Sequence, residues 1–225
     1  MRRVTTLFRY RNLAGDGFRF AQEIFLLNRL FWPLHSQLND PAEGVYRHAL
    51  RLVRHFNGLL YPPDAPLLRP GGDVRVLSFS EDPKHPLMWS HYADAHRGIC
   101  IGFRRDFFSQ AMPVRYPQRV PRLDAGLPPE TKRAAAFLTK RPAWAYEREW
   151  RLIDFDDASR NNPYVTLCPG VVTQVIFGER TSRDDRDWVF QWLRLSGCRA
   201  VTRRVRFSGA AARLHIENVT ERDEC

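Results

Sequence analysis

Lysine is nearly missing from this chain: of its 35 basic residues only Lys84, Lys132 and Lys140 are lysines, and the rest are arginines. Such a bias follows from a GC-rich coding sequence as readily as from a binding need. Long apolar runs are also missing. None nears the ~20 residues of a bilayer span, which excludes a membrane-spanning helix and a membrane partner. Met1-Arg2-Arg3-Val4-Thr5 opens without the apolar stretch of about 7–15 residues that a signal peptide carries, so a cytoplasmic protein is expected. The cysteines, at 100, 168, 198 and 225, form no CxxC spacing and read as reduced thiols. No glycine-rich phosphate loop occurs, and Gly98 and Gly102 read as close-packing positions beside a strand.

What remains is a globular composition, 44% hydrophobic and 12% aromatic over 225 residues, enough for one large core. The net charge of +10 admits nucleic acid as a partner, because cations displace counterions from a phosphate backbone. The charge is dispersed, however, with short clusters at Arg2-Arg3, Arg104-Arg105 and Arg203-Arg204-Val205-Arg206. A solvated basic face accounts for it, and a patch for nucleic acid or a dinucleotide is the alternative.

Strand-like and helix-like stretches alternate without repeats or a linker. Strands are expected over 4–10, 30–32, 74–80, 98–103, 144–155, 164–167, 171–177, 199–206 and 213–216. Helical spacing marks Phe18 to Asn28, the 87–95 turn, 104–111, 129–139 and the stretch around Trp188 and Trp192. Asp40-Pro41 reads as an N-cap with proline at the first helical position, opening a helix to about residue 57. Tyr46, Ala49, Leu50, Val53 and Phe56 would be its buried stripe, and Glu43 would complete a capping box. The sum is one α+β domain over 1–225 with a mixed, mainly antiparallel sheet. Loops 61–73 and 117–129 read as insertions, and 218–225 as a disordered tail.

Two segments carry chemistry. Residues 87–103 place Trp89, His91, Tyr92, Asp94 and His96 within eight positions before an apolar strand. In a helical turn His91 and Asp94 share a side, and a carboxylate-held histidine can act as a general base near neutral pH. With Asp40 and Glu43 nearby, that pattern suits a nuclease. There is no His-Glu-x-x-His and no cysteine pair, so no metal is expected. The plainer alternative has His91 and Tyr92 hydrogen-bonding backbone at a helix–strand corner. The second segment is Trp144–Phe155. On a strand, Glu147, Glu149 and Arg151 would share an open face, with Trp150 and Leu152 turned to the core. Two neighbouring carboxylates repel, so a cation or ligand readily tunes their ionisation; a surface ladder with Arg151 is the plainer reading.

These blocks resemble the bacterial domain-of-unknown-function family numbered 2971. The blocks are Leu7-Phe8-Arg9-Tyr10-Arg11, Leu38-Asn39-Asp40-Pro41-Ala42-Glu43, Phe79-Ser80, Met88-Trp89-Ser90-His91-Tyr92-Ala93 with His96-Arg97-Gly98, and Trp144-Ala145-Tyr146-Glu147-Arg148-Glu149-Trp150-Arg151. They occur in the family's order up to about residue 178. Separately, Arg9 or Arg11, then Ser78-Phe79-Ser80, then Glu147-Arg148-Glu149 is similar to the Arg…Ser-x-Ser…Glu-x-Glu order of arginine-type ADP-ribosyltransferases. That resemblance implies NAD as substrate. An arginine would hold the pyrophosphate, the serine strand would hold the site, and Glu149 would stabilise an oxocarbenium-like ribose. Glu147 would orient or deprotonate the acceptor. A toxin or anti-phage defence setting is the expectation attached to such an enzyme, and no residue of the sequence carries it. The expected site is therefore Glu149, Glu147 and His91 for catalysis, with Arg9, Tyr10, Arg11, Ser80, Trp89 and Tyr92 around the ligand. A nucleotide- or nucleic-acid-binding module without catalysis stays open beside it.

Overall fold

The first strand, β1 (Thr6–Arg11), is apolar on both sides: Leu7 enters one core, Phe8 and Tyr10 another. A strand of this kind needs cover on both faces of its sheet. The computed structural model, which describes residues 4–40, 43–49, 74–124, 126–154, 162–208 and 213–221, shows how the chain supplies it. After β1 come α1 (Asp16–Leu26), β2 (Arg29–Phe31), β3 (Arg47–Ala49), β4 (Arg75–Ser80), α2 (Pro86–Tyr92), β5 (Ile99–Arg104), β6 (Met112–Pro113) and β7 (Arg122–Asp124). Then follow α3 (Pro129–Phe137), β8 (Glu149–Asp154), β9 (Tyr164–Thr166), β10 (Val172–Phe177), α4 (Arg183–Ser196), β11 (Val201–Ser208) and β12 (Arg213–Asn218).

Eight strands form one sheet in the order β12-β11-β10-β5-β1-β4-β8-β6. Neighbours run antiparallel except β10 and β11, whose parallel pairing is made by the α4 crossover. This is the expected α+β domain with a mixed, mainly antiparallel sheet. Small ladders β2-β9 and β3-β7 stand beside it. On one face Ile24, Phe25, Val189 and Trp192 of α1 and α4 pack on Leu7, Ile101, Phe103, Val175 and Phe177. On the other, Met88 and Trp89 of α2 cover Phe8, Tyr10, Cys100 and Ile176. Full burial of such side chains stabilises by about 1.5–3 kcal/mol each. No helix among the described residues is long and apolar enough to cross a membrane.

Several expectations give way. The helix from Asp40 is replaced, over the described part, by a turn at Glu43-Gly44 and by β3. Asp40 gives its carboxylate to Arg141 at 2.9 Å, and Gly44 takes a left-handed φ of 70° that ends any helical run. Leu50, Val53, Phe56 and the 61–73 loop lie outside the described residues. Residues 105–110 are turns, not helix, because Asp106 engages Arg104 and the Phe107 amide instead of capping. The 117–129 loop contains β7. The expected strand 144–155 begins only at Glu149, after a 3-10 turn at Pro142–Glu147. Asn218 closes β12 and Val219 is buried, so the expected tail is ordered at its start; 222–225 lie outside the described residues.

Candidate functional site

The strands bearing the arginine, serine and glutamate motifs, β1, β4 and β8, are side by side. β4 and β8 pair along their length, setting Ser80 opposite Glu149 and Ser78 opposite Arg151. β1 and β4 pair only at Phe8 and Ser80. Beyond that point the free edge of β4 is taken by the 33–35 segment, with the Val76 amide donating to the Pro33 carbonyl at 3.0 Å and the His35 amide to Val74 at 2.7 Å. Across the same opening Arg9 Nη1 donates to the Ser78 carbonyl.

The 3-10 turn brings Glu147 to the end of β8, and Arg148 follows in a left-handed conformation, φ 46° and ψ 52°. That one reversal turns Glu147 and Glu149 onto a common cation. Lys140 Nζ lies 2.6 Å from Glu147, 3.1 Å from Glu43 and 3.4 Å from Glu149. Arg151, fully buried, donates from Nε and Nη2 to the two oxygens of Glu149 at 2.7 and 2.9 Å. It also bonds Glu43 and the carbonyl of Phe137, where a cation suits the negative end of α3. Tyr116 Oη accepts the Glu149 amide at 2.8 Å, and Ser80 Oγ donates to the Glu147 carbonyl at 2.7 Å. A chain runs outward: Tyr92 Oη donates to Glu147 Oε1 at 2.5 Å and accepts from the exposed Asn39 amide at 2.8 Å.

Three carboxylates thus share two hydrogen-bonded cations, with Arg9 a third cation whose charge is felt at Glu149. The two motif carboxylates respond oppositely. Burial, with the nearby charge of Glu149, raises the pKa of Glu147 against the pull of Lys140. Burial also acts on Glu149, but Arg151 and Lys140 outweigh it and lower that carboxyl to about 2. Burial together with the Glu147 charge raises the Tyr92 phenol. Burial lowers Arg11 to about 10, and its Nε and Nη2, like Arg9 Nε, are sealed from solvent without a hydrogen-bond partner among the described residues. Arg11 stands apart from the network, its guanidinium over the Phe20 ring of α1 at 5.9 Å.

The structure therefore joins Arg9, Ser80, Glu147, Glu149 and Tyr92 through one network. Tyr10 and Trp89 belong to the core: their rings meet edge to face at 5.1 Å, Tyr10 donates to the Asp82 carbonyl, and Trp89 to that of Pro83. His91 is exposed beside the network, its ring 6.4 Å from that of Tyr146. The expected His91–Asp94 pair does not form, because α2 stops at Tyr92 and Asp94 turns left-handed toward Arg97. The open face expected for Glu147, Glu149 and Arg151 is buried instead, since Lys140, Glu43 and α3 cover it. Sequence reasoning missed Lys140 as the hub; its rarity among so many arginines was the available signal.

Two surface concavities, ≈ 320 Å³ over α4 and ≈ 280 Å³ beside Cys168 and Cys198, share no residue with this network. No group of three His, Cys, Asp or Glu side chains suited to a metal ion occurs among the described residues. Compared with known proteins, the chain matches no family model, no curated protein and no solved structure.

Proposed function

We propose that the polar network of β1, β4 and β8 is the NAD-cleaving site of an ADP-ribosyltransferase-like enzyme, and that the chain is a member of the family of unknown function it resembles. The observation that carries the reading is adjacency. Residues far apart in sequence, Arg9, Ser78-Phe79-Ser80 and Glu149, lie on neighbouring strands joined by the Arg9–Ser78 bond and the Ser80–Glu149 register, with Glu147 on the turn that leads into β8.

The residues suit a dinucleotide at its anionic end. Arg11 is turned toward α1, over the Phe20 ring at 5.9 Å. Arg9 instead reaches the network across the β1–β4 opening and its buried Nε has no partner among the described residues, and such a group is costly unless an anion satisfies it. A pyrophosphate would do so. NAD would supply a glycosidic bond whose electron pair departs with nicotinamide. Glu149, held ionised by Arg151 and Lys140, balances positive charge developing on the ribose. Glu147, whose pKa is raised, takes the acceptor's proton as the new bond to the ribose forms. Paired carboxylates pushed apart in pKa are the usual basis for dividing such roles.

A second reading is favoured by a different observation. Both carboxylates are nearly sealed, 3% and 5% exposed, and fully engaged by cations. A nucleotide-binding module uses Arg9 and leaves the carboxylates as a polar core. Incubation with NAD separates the two. Nicotinamide release that falls at least about 100-fold in Glu149→Gln supports the transferase, on the scale of one lost electrostatic stabiliser. NAD binding that is weakened in Arg9→Gln, without release in the wild type, supports the module.

A further inference from the structure

Five aromatic or imidazole rings gather at the surface over the carboxylate network, and one of them, Tyr92, also bonds into it. Tyr146 is central: the His85 ring lies nearly parallel to it (24°) at 5.1 Å, Trp144 at 6.1 Å and His91 at 6.4 Å. His91 in turn meets Tyr92 at 6.3 Å. His91 is exposed and the other four are partly so. Trp144 also sits 4.7 Å from Lys140 Nζ, which fixes the shelf to the buried hub. At its edge Asn39 is exposed, and its amide donates one hydrogen to Tyr92 while its oxygen meets no partner among the described residues.

We propose that this shelf is a stacking site for an unpaired base of single-stranded nucleic acid, with Asn39 reading the base edge. Every base offers a π-face, and aromatic platforms of half-exposed rings bind it with little regard to sequence. An asparagine amide, with donor and acceptor side by side, matches the polar edge of a base. The shelf itself is close to neutral, because its flanking cations are paired: Arg141 with Asp40 at 2.9 Å, and Arg148 with Glu81. The base is therefore held by stacking. The molecule's net charge of +10 attracts the strand's phosphates as a long-range field and not through a local cation at the shelf, which gives a polymer its advantage over a free base. The site stands whether or not NAD is consumed; where it is, the stacked strand is the acceptor.

The test is fluorescence anisotropy of labelled oligonucleotides of about 12 nucleotides, single-stranded and duplex, with no NAD present. The single strand is expected to bind more tightly than the duplex, whose bases are already stacked and paired. Tyr146→Ala and Trp144→Ala are each expected to weaken single-strand binding about tenfold, on the scale of one stacked base. Tyr146→Phe is expected to keep it, and the salt dependence is expected to stay unchanged in all three. His91→Ala, at an exposed position, repeats the test where folding is not at stake. Equal affinity for duplex and single strand, unchanged affinity in the alanine variants, or no binding at all would each overturn the proposal. Loss of NAD turnover would leave these results as they are, so the two readings fail separately.

Discussion

At the scale of single residues, the informative contrast is between two carboxylates two positions apart. Glu149 is lowered to about 2 by Arg151 and Lys140 despite its burial. A depressed pKa stabilises the fold above the unfolded value near 4.5 and is lost as pH falls toward 2. The shift corresponds to about 3 kcal/mol. Glu147 is raised, so its contribution runs the other way: stability is lost as pH rises through its folded value. Neutral replacements should therefore diverge. In urea unfolding at about pH 7, Glu149→Gln is expected to lose about 3–5 kcal/mol, the usual result of removing one partner of a buried pair. Glu147→Gln is expected to lose less, about 1–2 kcal/mol, since its one remaining acceptor oxygen serves Tyr92 or Lys140 but not both, while Lys140 keeps Glu43 and Glu149. The loss on acidification to about pH 3 should shrink in Glu149→Gln. Equal losses in both variants would mean that Lys140 treats the two alike.

At the scale of elements, what the sequence makes legible is what local chemistry decides. α4 is such a case: Ser182 accepts the Asp185 amide, Asp184 and Asp185 occupy the first turn, and Gly197 closes the end. The helix expected at Asp40 shows the reverse. Its cap residue answers to Arg141, 101 positions away, and no local rule contains that partner. The site divides in the same way. Arg9, Ser80 and Glu149 were legible as spaced motifs, but their convergence depends on Arg148 turning left-handed, which the residue type does not announce. A second left-handed stretch, Asp94, Ala95 and His96 at φ 45°, 48° and 70°, ends α2 and holds the strand that follows. It is pinned where the Arg180 amide donates to the His96 carbonyl at 3.0 Å, and a side chain at Gly178 would collide with that carbonyl. Left-handed residues other than glycine cost about 1–2 kcal/mol each. Ala95→Gly is therefore expected to raise the melting temperature by about 2–4 °C, where alanine to glycine in a right-handed helix would lower it. A fall in a thermal melt would show that the turn is not left-handed in solution.

At the scale of the whole molecule, the question is whether the sheet is one cooperative unit. Its continuity rests on β1 and β4, which share a single pair at Phe8 and Ser80. Side chains reinforce the junction: Arg9 to the Ser78 carbonyl, and Tyr10 to that of Asp82 at 2.7 Å. Cys100 reports on this. It lies near the start of β5, between Tyr10 of β1 and Ile176 of β10, fully buried beneath α2, and burial pushes its thiol well up. In a variant with Cys168, Cys198 and Cys225 replaced by serine, Cys100 is expected to resist a thiol reagent in native buffer. Its labelling in increasing denaturant should give the same free energy and the same denaturant slope as the tryptophan fluorescence melt, because only global opening exposes it. A smaller slope, with labelling well below the melt, would mean that α2 lifts or that the sheet parts at β1 and β4. Since Tyr92 sits on α2 and Glu149 on β8, such an opening would also expose the buried carboxylates. Cooperative labelling, by contrast, would mean that a ligand of the proposed site reaches Glu149 through side-chain movement alone, with Lys140 and Tyr92 the groups that must yield.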